Sequence, residues 1–286
     1  MKEVTTIPTT LTIGIDLGDR HSHYCVLDVA GAVIDEGRLA TNPAALRARF
    51  AGQSAARIAI EVDTHSAWVS ELLKEAGHDV LIANPRKLRM IFESDTKNDR
   101  SDAQHLARVA RMDVNLLYPI EHRGRAARVD LALLRARACL VTERTRLVNH
   151  VRGVLKSFGV RTNKCSTPCF HERVSESIPE ELGAALSPLL LTLAGLSETI
   201  KAYDKSIAKL SCENYPETKL LKQVCGVGPV TALCFVLTLE DPKRIKDSRM
   251  VGAFLGLRPR QNQSGARDPE LRITKAGDKD LRRLLV

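Results

Sequence analysis

"TIGIDLGDRHSHYCVLD", residues 12–28, decides the fold. The segment reads as a strand, "LTIGIDLG" from residue 11, a break and a second strand, "HYCVLDV". Asp16 stands where the first strand should be most apolar. A carboxylate there is costly unless it is paired or holds a metal.

Working outward, "VIDEGRLA" follows the turn "AGA" as a third strand, which makes an antiparallel start over Leu11–Ala40. Asn42 and Pro43 then open a short helix. "ARIAIEV" is a strand, "THSAWVSELLKEAG" a helix closed by Gly77, and "DVLIA" a short strand. "DRSDAQHLARVAR", from Asp99 to Arg111, reads as a helix. Antiparallel strands followed by alternating helices and strands predict an α/β domain with a mixed sheet.

That layout singles out four acids: Asp16 in the first strand, Glu61 ending the fourth, and Asp99 and Asp102 opening a helix. A spacing of three brings the last two to one side of the first turn, although Asp99 is equally suited to an N-cap. Hard oxygen ligands from several elements are what Mg2+ requires, and paired ions stabilise both oxygens of a phosphoryl displacement. Taken singly, each acid is also readable as a cap or a surface charge.

The 286 residues, 44% hydrophobic and 27% charged, leave room for about two domains. No run of about 18 apolar residues and no secretory leader is apparent, so the expected address is the cytoplasm and no membrane is expected. Seven scattered cysteines suit reduced thiols. Cys165, Cys169 and His171 make at most a partial zinc site. The net charge of +9 points to a polyanion. It is clustered: nine Lys/Arg against three Asp/Glu over 121–156, and eight against four over 258–283. Aromatics, at 4%, are too few for a base-stacking platform.

From about Arg123 to Glu213 the pattern is helical. Leu189, Leu193, Leu196, Ile200, Tyr203, Ile207 and Leu210 form a heptad seam. Leu140, Leu147, Val151, Val154 and Phe158 form an earlier stripe with a gap at Arg144. The pair reads either as an intramolecular hairpin or as a coiled coil between subunits. Further on, "LLKQVCGVGPVTALCFVLTL" (220–239) resembles a helix-hairpin-helix, in which Gly226 and Gly228 let the backbone approach a phosphate. A plain tight turn between helices is the alternative.

"IGIDLG", "IAIEV" and "NPRKLRMIFESDTKNDRSDAQHLARV" (84–109) resemble the DEDD transposases of the IS110 insertion-sequence family, which includes Piv-type DNA invertases. "GLRPRQNQSG" (256–265) and "RITKAGDKDLRRLLV" (272–286) resemble its C-terminal domain. A lone "GIDLG" also occurs in sugar kinases and actin-like ATPases, but no glycine-rich phosphate loop follows here. The resemblance implies an α/β plus α chain in three parts. These are a RuvC-like, ribonuclease-H-like domain over 1–118, a helical coiled-coil region over 119–213, and a helical transposase domain with the helix-hairpin-helix over 214–286.

It further implies that Asp16, Glu61, Asp99 and Asp102 hold Mg2+ or Mn2+ and that Ser264 is the nucleophile. A serine hydroxyl needs a base or metal to activate it and cations to hold the phosphate. Arg258, Arg260 and Arg267 lie near Ser264, and Lys275 joins them as a nucleic-acid-binding candidate. The implied reaction is serine attack on donor and target double-stranded DNA through a 5′-phosphoserine link, guided by a bridge RNA, in a homodimer or homotetramer at the nucleoid. Other readings of the same residues are a metal-dependent nuclease and a protein that only binds nucleic acid. After Glu61 the family often has Thr-Gly, whereas this chain has "VDTHSAW", which makes Asp63 a possible extra ligand. Relatives usually continue beyond "LRRLLV", so a chain ending at Val286 is expected to retain binding better than recombination.

Overall fold

The computed structural model describes residues 11–85, 98–265 and 267–286. The chain divides into two compact units, 1–122 and 123–286.

The first unit is built on one five-stranded sheet. Its strands are β1 (Thr12–Asp16), β2 (His21–Leu27), β3 (Val33–Ala40), β4 (Arg57–Glu61) and β5 (Asp79–Ala83), in the order β3-β2-β1-β4-β5. β1, β2 and β3 pair antiparallel, while β4 and β5 run parallel to β1. Alternation along the strands sorts side chains onto two faces. Ile13, Ile15, Ile58 and Ile60 point to one face and pack with Leu46, Phe50, Val69 and Leu73. Those partners come from α1 (Pro43–Phe50), capped by the Asn42 side chain, and α2 (Ser66–Glu75).

The opposite face carries Gly14, Cys25, Leu27, Ala59 and Ala83. It is covered by α3 (Asp99–Met112) through Ala103, Leu106, Ala107, Val109 and Ala110. The result is a three-layer arrangement of helices on both faces of a mixed sheet. The stretch 86–97, inside the 84–109 phrase, lies outside the described residues.

The second unit is helical. α4 (Arg125–Ser157) and α6 (Glu180–Glu213) form an antiparallel hairpin, linked through the short α5 (Phe170–Ser175). At one end Val148, Val151 and Leu155 meet Leu182, Leu186, Leu190 and Leu193. At the other, Leu131 and Leu134 meet Ile207. The α6 seam read from the heptads is the packed face over Leu193, Ile200 and Ile207. In α4 the stripe is different: Phe158 is 54% exposed, and Arg144 is itself buried in the seam. An 18-residue window of α6 reaches a mean hydropathy of 1.3, so by length and composition alone this helix would span a bilayer. Leu182, Leu186, Leu190 and Leu193 pack into the hairpin core, while Leu191 is 76% exposed.

α7 (Thr218–Leu221) and α8 (Pro229–Leu239) follow, and α8 packs against α4 and α6 at the base of the hairpin. α9 (Met250–Phe254) and α10 (Lys279–Leu285) contribute Leu255 and Leu281 to the same core.

Candidate active site

Register places the acids. β1 and β4 are aligned Gly14 to Ala59 and Ile15 to Ile60, so Asp16 and Glu61 come next, side by side on strands about 4.8 Å apart. Both lie two residues beyond a residue that touches α3, so period-two alternation turns them to the α3 face. A Cβ on Gly14 would come within 2.0 Å of the Ala103 carbonyl oxygen. α3 therefore lies directly on β1, with its first turn at the Asp16 end. That turn carries Asp99 and Asp102. The helix is capped by Asn98, whose side chain accepts from the Arg100 amide, so Asp99 is not the cap. Arg100 pairs with Glu36 of β3 and ties the start of α3 to the sheet.

Four carboxylates from three elements thus occupy one end of one face. Among the described residues their side chains do not close into a group of three or more around one point. The donor set suits a hard divalent cation, and drawing like charges together without one would be unfavourable. Asp63 is otherwise engaged: its Oδ1 accepts from the amides of His65 and Ser66 and starts α2. The partial zinc reading gains nothing, since no three-ligand group is present at Cys165, Cys169 and His171 among the described residues.

Two residues escaped the sequence reading. His23 is the β2 partner of Asp16, and its Nδ1 stands 3.7 Å from Asp99 Oδ2. Hairpin register would have found it, by counting back across the "LGDR" turn. His65 lies just past Glu61, with its Nδ1 3.2 Å from Trp68 Nε1.

In the second unit Ser264 sits at the tip of a hairpin arm. Ser264 and Arg267 exchange backbone hydrogen bonds of 3.1 and 3.0 Å around Gly265. Further down, the Arg260 amide donates to the Arg272 carbonyl and the Thr274 amide to the Arg258 carbonyl. The base is fixed by Gly256, at φ +70, where a Cβ would meet the Ala276 nitrogen at 2.4 Å. Ser264, Arg258, Arg260, Arg267 and Lys275 are all exposed. None of the four cations has an acidic partner within salt-bridge range among the described residues, which leaves them available to an anion. Gly226, at φ +84, and Gly228 form the turn before α8, with open space where their side chains would be.

A mixed sheet with carboxylates from three elements at one end, followed by a helical unit with an exposed serine among arginines, is a layout suited to phosphodiester chemistry on nucleic acid. A family model of the DEDD type of IS110, described as "Transposase", matches residues 13–159, and that of the "Transposase IS116/IS110/IS902 family" matches 218–286. The chain belongs to the IS110 family of transposases. It is 28% identical to the "Transposase for insertion sequence element IS1328" of Yersinia enterocolitica, over 98% of this chain and 83% of that one. It is 29% identical to the "Transposase for insertion sequence element IS1111A" of Coxiella burnetii, over 73% and 58%. A "Probable family 20 transposase" of Pseudomonas aeruginosa is 30% identical over 77% of this chain and 65% of its own length. The chain thus spans less than two thirds of two of these three relatives. Membership of a DEDD family implies a divalent cation, and the carboxylates of Asp16, Glu61, Asp99 and Asp102 could hold one.

Proposed function

We propose that the chain cuts and rejoins double-stranded DNA as an insertion-sequence transposase, using Ser264 as nucleophile and Mg2+ or Mn2+ held by Asp16, Glu61, Asp99 and Asp102. The observation that carries this is the arrival of all four acids at one end of one sheet face. When bound, the cation supplies Lewis-acid stabilisation of charge on the phosphate oxygens and favours the ionised hydroxyl. Ser264 Oγ forms a bond to phosphorus as the bond to the 3′ oxygen breaks, giving a 5′-phosphoserine and a free 3′ hydroxyl. One phosphoester replaces another, so the same steps reversed rejoin a strand. Arg258, Arg260 and Arg267 hold the phosphate, and Lys275, Gly226 and Gly228 hold the flanking backbone.

The strand order and the antiparallel start support a ribonuclease-H-like, RuvC-like first part. The three functional stretches are 1–118, the coiled-coil region 119–213, and 214–286 with its helix-hairpin-helix. The basic surface suits donor and target DNA and a bridge RNA alike. The hairpin of α4 and α6 is the element we assign to subunit contact in a homodimer or homotetramer, acting at the nucleoid in the cytoplasm.

The test is Asp16→Asn and Glu61→Gln in the full chain. Strand cleavage should fall by about a hundredfold or more while duplex affinity stays within about threefold. Cleavage at the parental rate in both variants would remove the acids from the chemistry.

A further inference from the structure

His65 stands at the same end of the sheet as the acids, four residues after Glu61, in the connection between β4 and α2. Its backbone is pinned. Asp63 Oδ1 accepts from the His65 amide at 2.9 Å and the Ser66 amide at 2.6 Å. Ser66, fully buried, donates from Oγ to the Asp63 carbonyl at 2.8 Å and lies 3.0 Å from His122 Nε2. The ring is pinned as well: Trp68 Nε1 lies 3.2 Å from His65 Nδ1, with the rings edge to face at 85°. An indole N–H only donates. Nδ1 is therefore the acceptor, and the proton of the neutral imidazole is on Nε2.

The opposite edge of the ring is uncommitted. Nε2 is 3.8 Å from Asp19 Oδ1, beyond hydrogen-bond reach, and makes no hydrogen bond among the described residues. Asp19 belongs to the turn after β1, three residues past Asp16, and its side chain is 93% exposed. With one ring nitrogen protonated and the other occupied by Trp68, His65 has no lone pair to give a metal. What it offers is one N–H donor of fixed direction at the carboxyl ends of β1 and β4.

We infer that His65 binds nucleic acid through this N–H, donating from Nε2 to a phosphate oxygen of the strand brought to the acids. The inference rests on the proposed function, since a phosphate reaches this end only if DNA is processed there. His65 is a neutral donor in this role, and Trp68 is the positioning residue that fixes its tautomer.

The experiment measures binding of the full chain to a short labelled DNA duplex in EDTA, across a range of salt concentrations. His65→Phe should weaken binding about tenfold, the cost of one hydrogen bond to a charged acceptor. The salt slope should stay parental, because a neutral donor displaces no counterion. His65→Gln, whose amide N–H falls near the place of Nε2, should recover most of the loss. A His65→Phe variant that binds like the parent, or one whose salt slope drops by about one, overturns the inference. Nitrogen NMR of the parent needs no variant. It should show Nδ1 unprotonated and the Nε2–H resonance displaced by the duplex, and a resonance indifferent to DNA counts against the contact. A parent that binds no duplex defeats the proposed function itself, whereas parental binding with indifferent His65 variants defeats this inference alone.

Discussion

A side chain on Gly14 would press within 2.5 Å of the Ala107 nitrogen as well as on the Ala103 carbonyl. Both obstacles are helix backbone, which has no rotamer with which to yield. Gly14 therefore sets how closely α3 approaches β1, and so the distance from Asp16 to Asp99 and Asp102. Gly14→Ala is predicted to destabilise the first unit by about 1–3 kcal/mol, the usual cost of overpacking. It should also reduce metal-dependent cleavage, because the first turn of α3 is displaced from the strand end. Thermal denaturation checks the first effect, and an unchanged midpoint would mean that the helix is not seated on this residue. Other side chains at the site are held by similarly local devices. Asn98 takes the capping role and leaves Asp99 outside it, and Gly256 permits the backbone crossing from which the Ser264 arm projects.

Among the elements, the α4–α6 hairpin departs most from its sequence pattern. Heptads in α6 indicate the packed face because apolar side chains, leucine and isoleucine with Tyr203, recur there without a charged break. In α4 the stripe was broken at Arg144, and the true seam runs through the break. Arg144 is buried, with Nη1 3.4 Å from Ser197 Oγ and with no partner for Nε among the described residues. Burial, and secondarily the neighbouring Arg137, pushes its pKa down. A cation held there without a full set of partners costs more than an apolar side chain of similar length. Arg144→Met is therefore predicted to hold or raise the melting temperature, by about 2–4 °C per kcal/mol gained. A drop would show that the guanidinium is needed in the seam.

Strands and helices of the first unit were legible for the opposite reason. Period-two alternation in "TIGID" and "RIAIE" and the side-chain cap at Asn42 are local signals that tertiary packing reinforces. His23 is legible only by counting register across the turn, and His65 depends on a hydrogen bond from Trp68 that leaves no composition signal.

At the scale of the whole chain, charge is divided between the units. Residues 123–286 hold 29 Lys/Arg against 17 Asp/Glu, whereas residues 1–122 hold 14 against 17. The surplus that draws a polyanion belongs to the unit with the serine arm, and the unit with the four acids is net negative. A cation bound there would offset part of the repulsion that an approaching phosphate meets. In the proposed reaction, one unit brings the DNA backbone and the other the carboxylates. The most direct test of that claim is a denaturing gel of the full chain incubated with labelled duplex DNA and Mg2+. The account predicts a covalent protein–DNA band that is abolished in Ser264→Ala and in Asp16→Asn alike. Cleavage by Ser264→Ala at the parental rate, with no adduct in either protein, would contradict it.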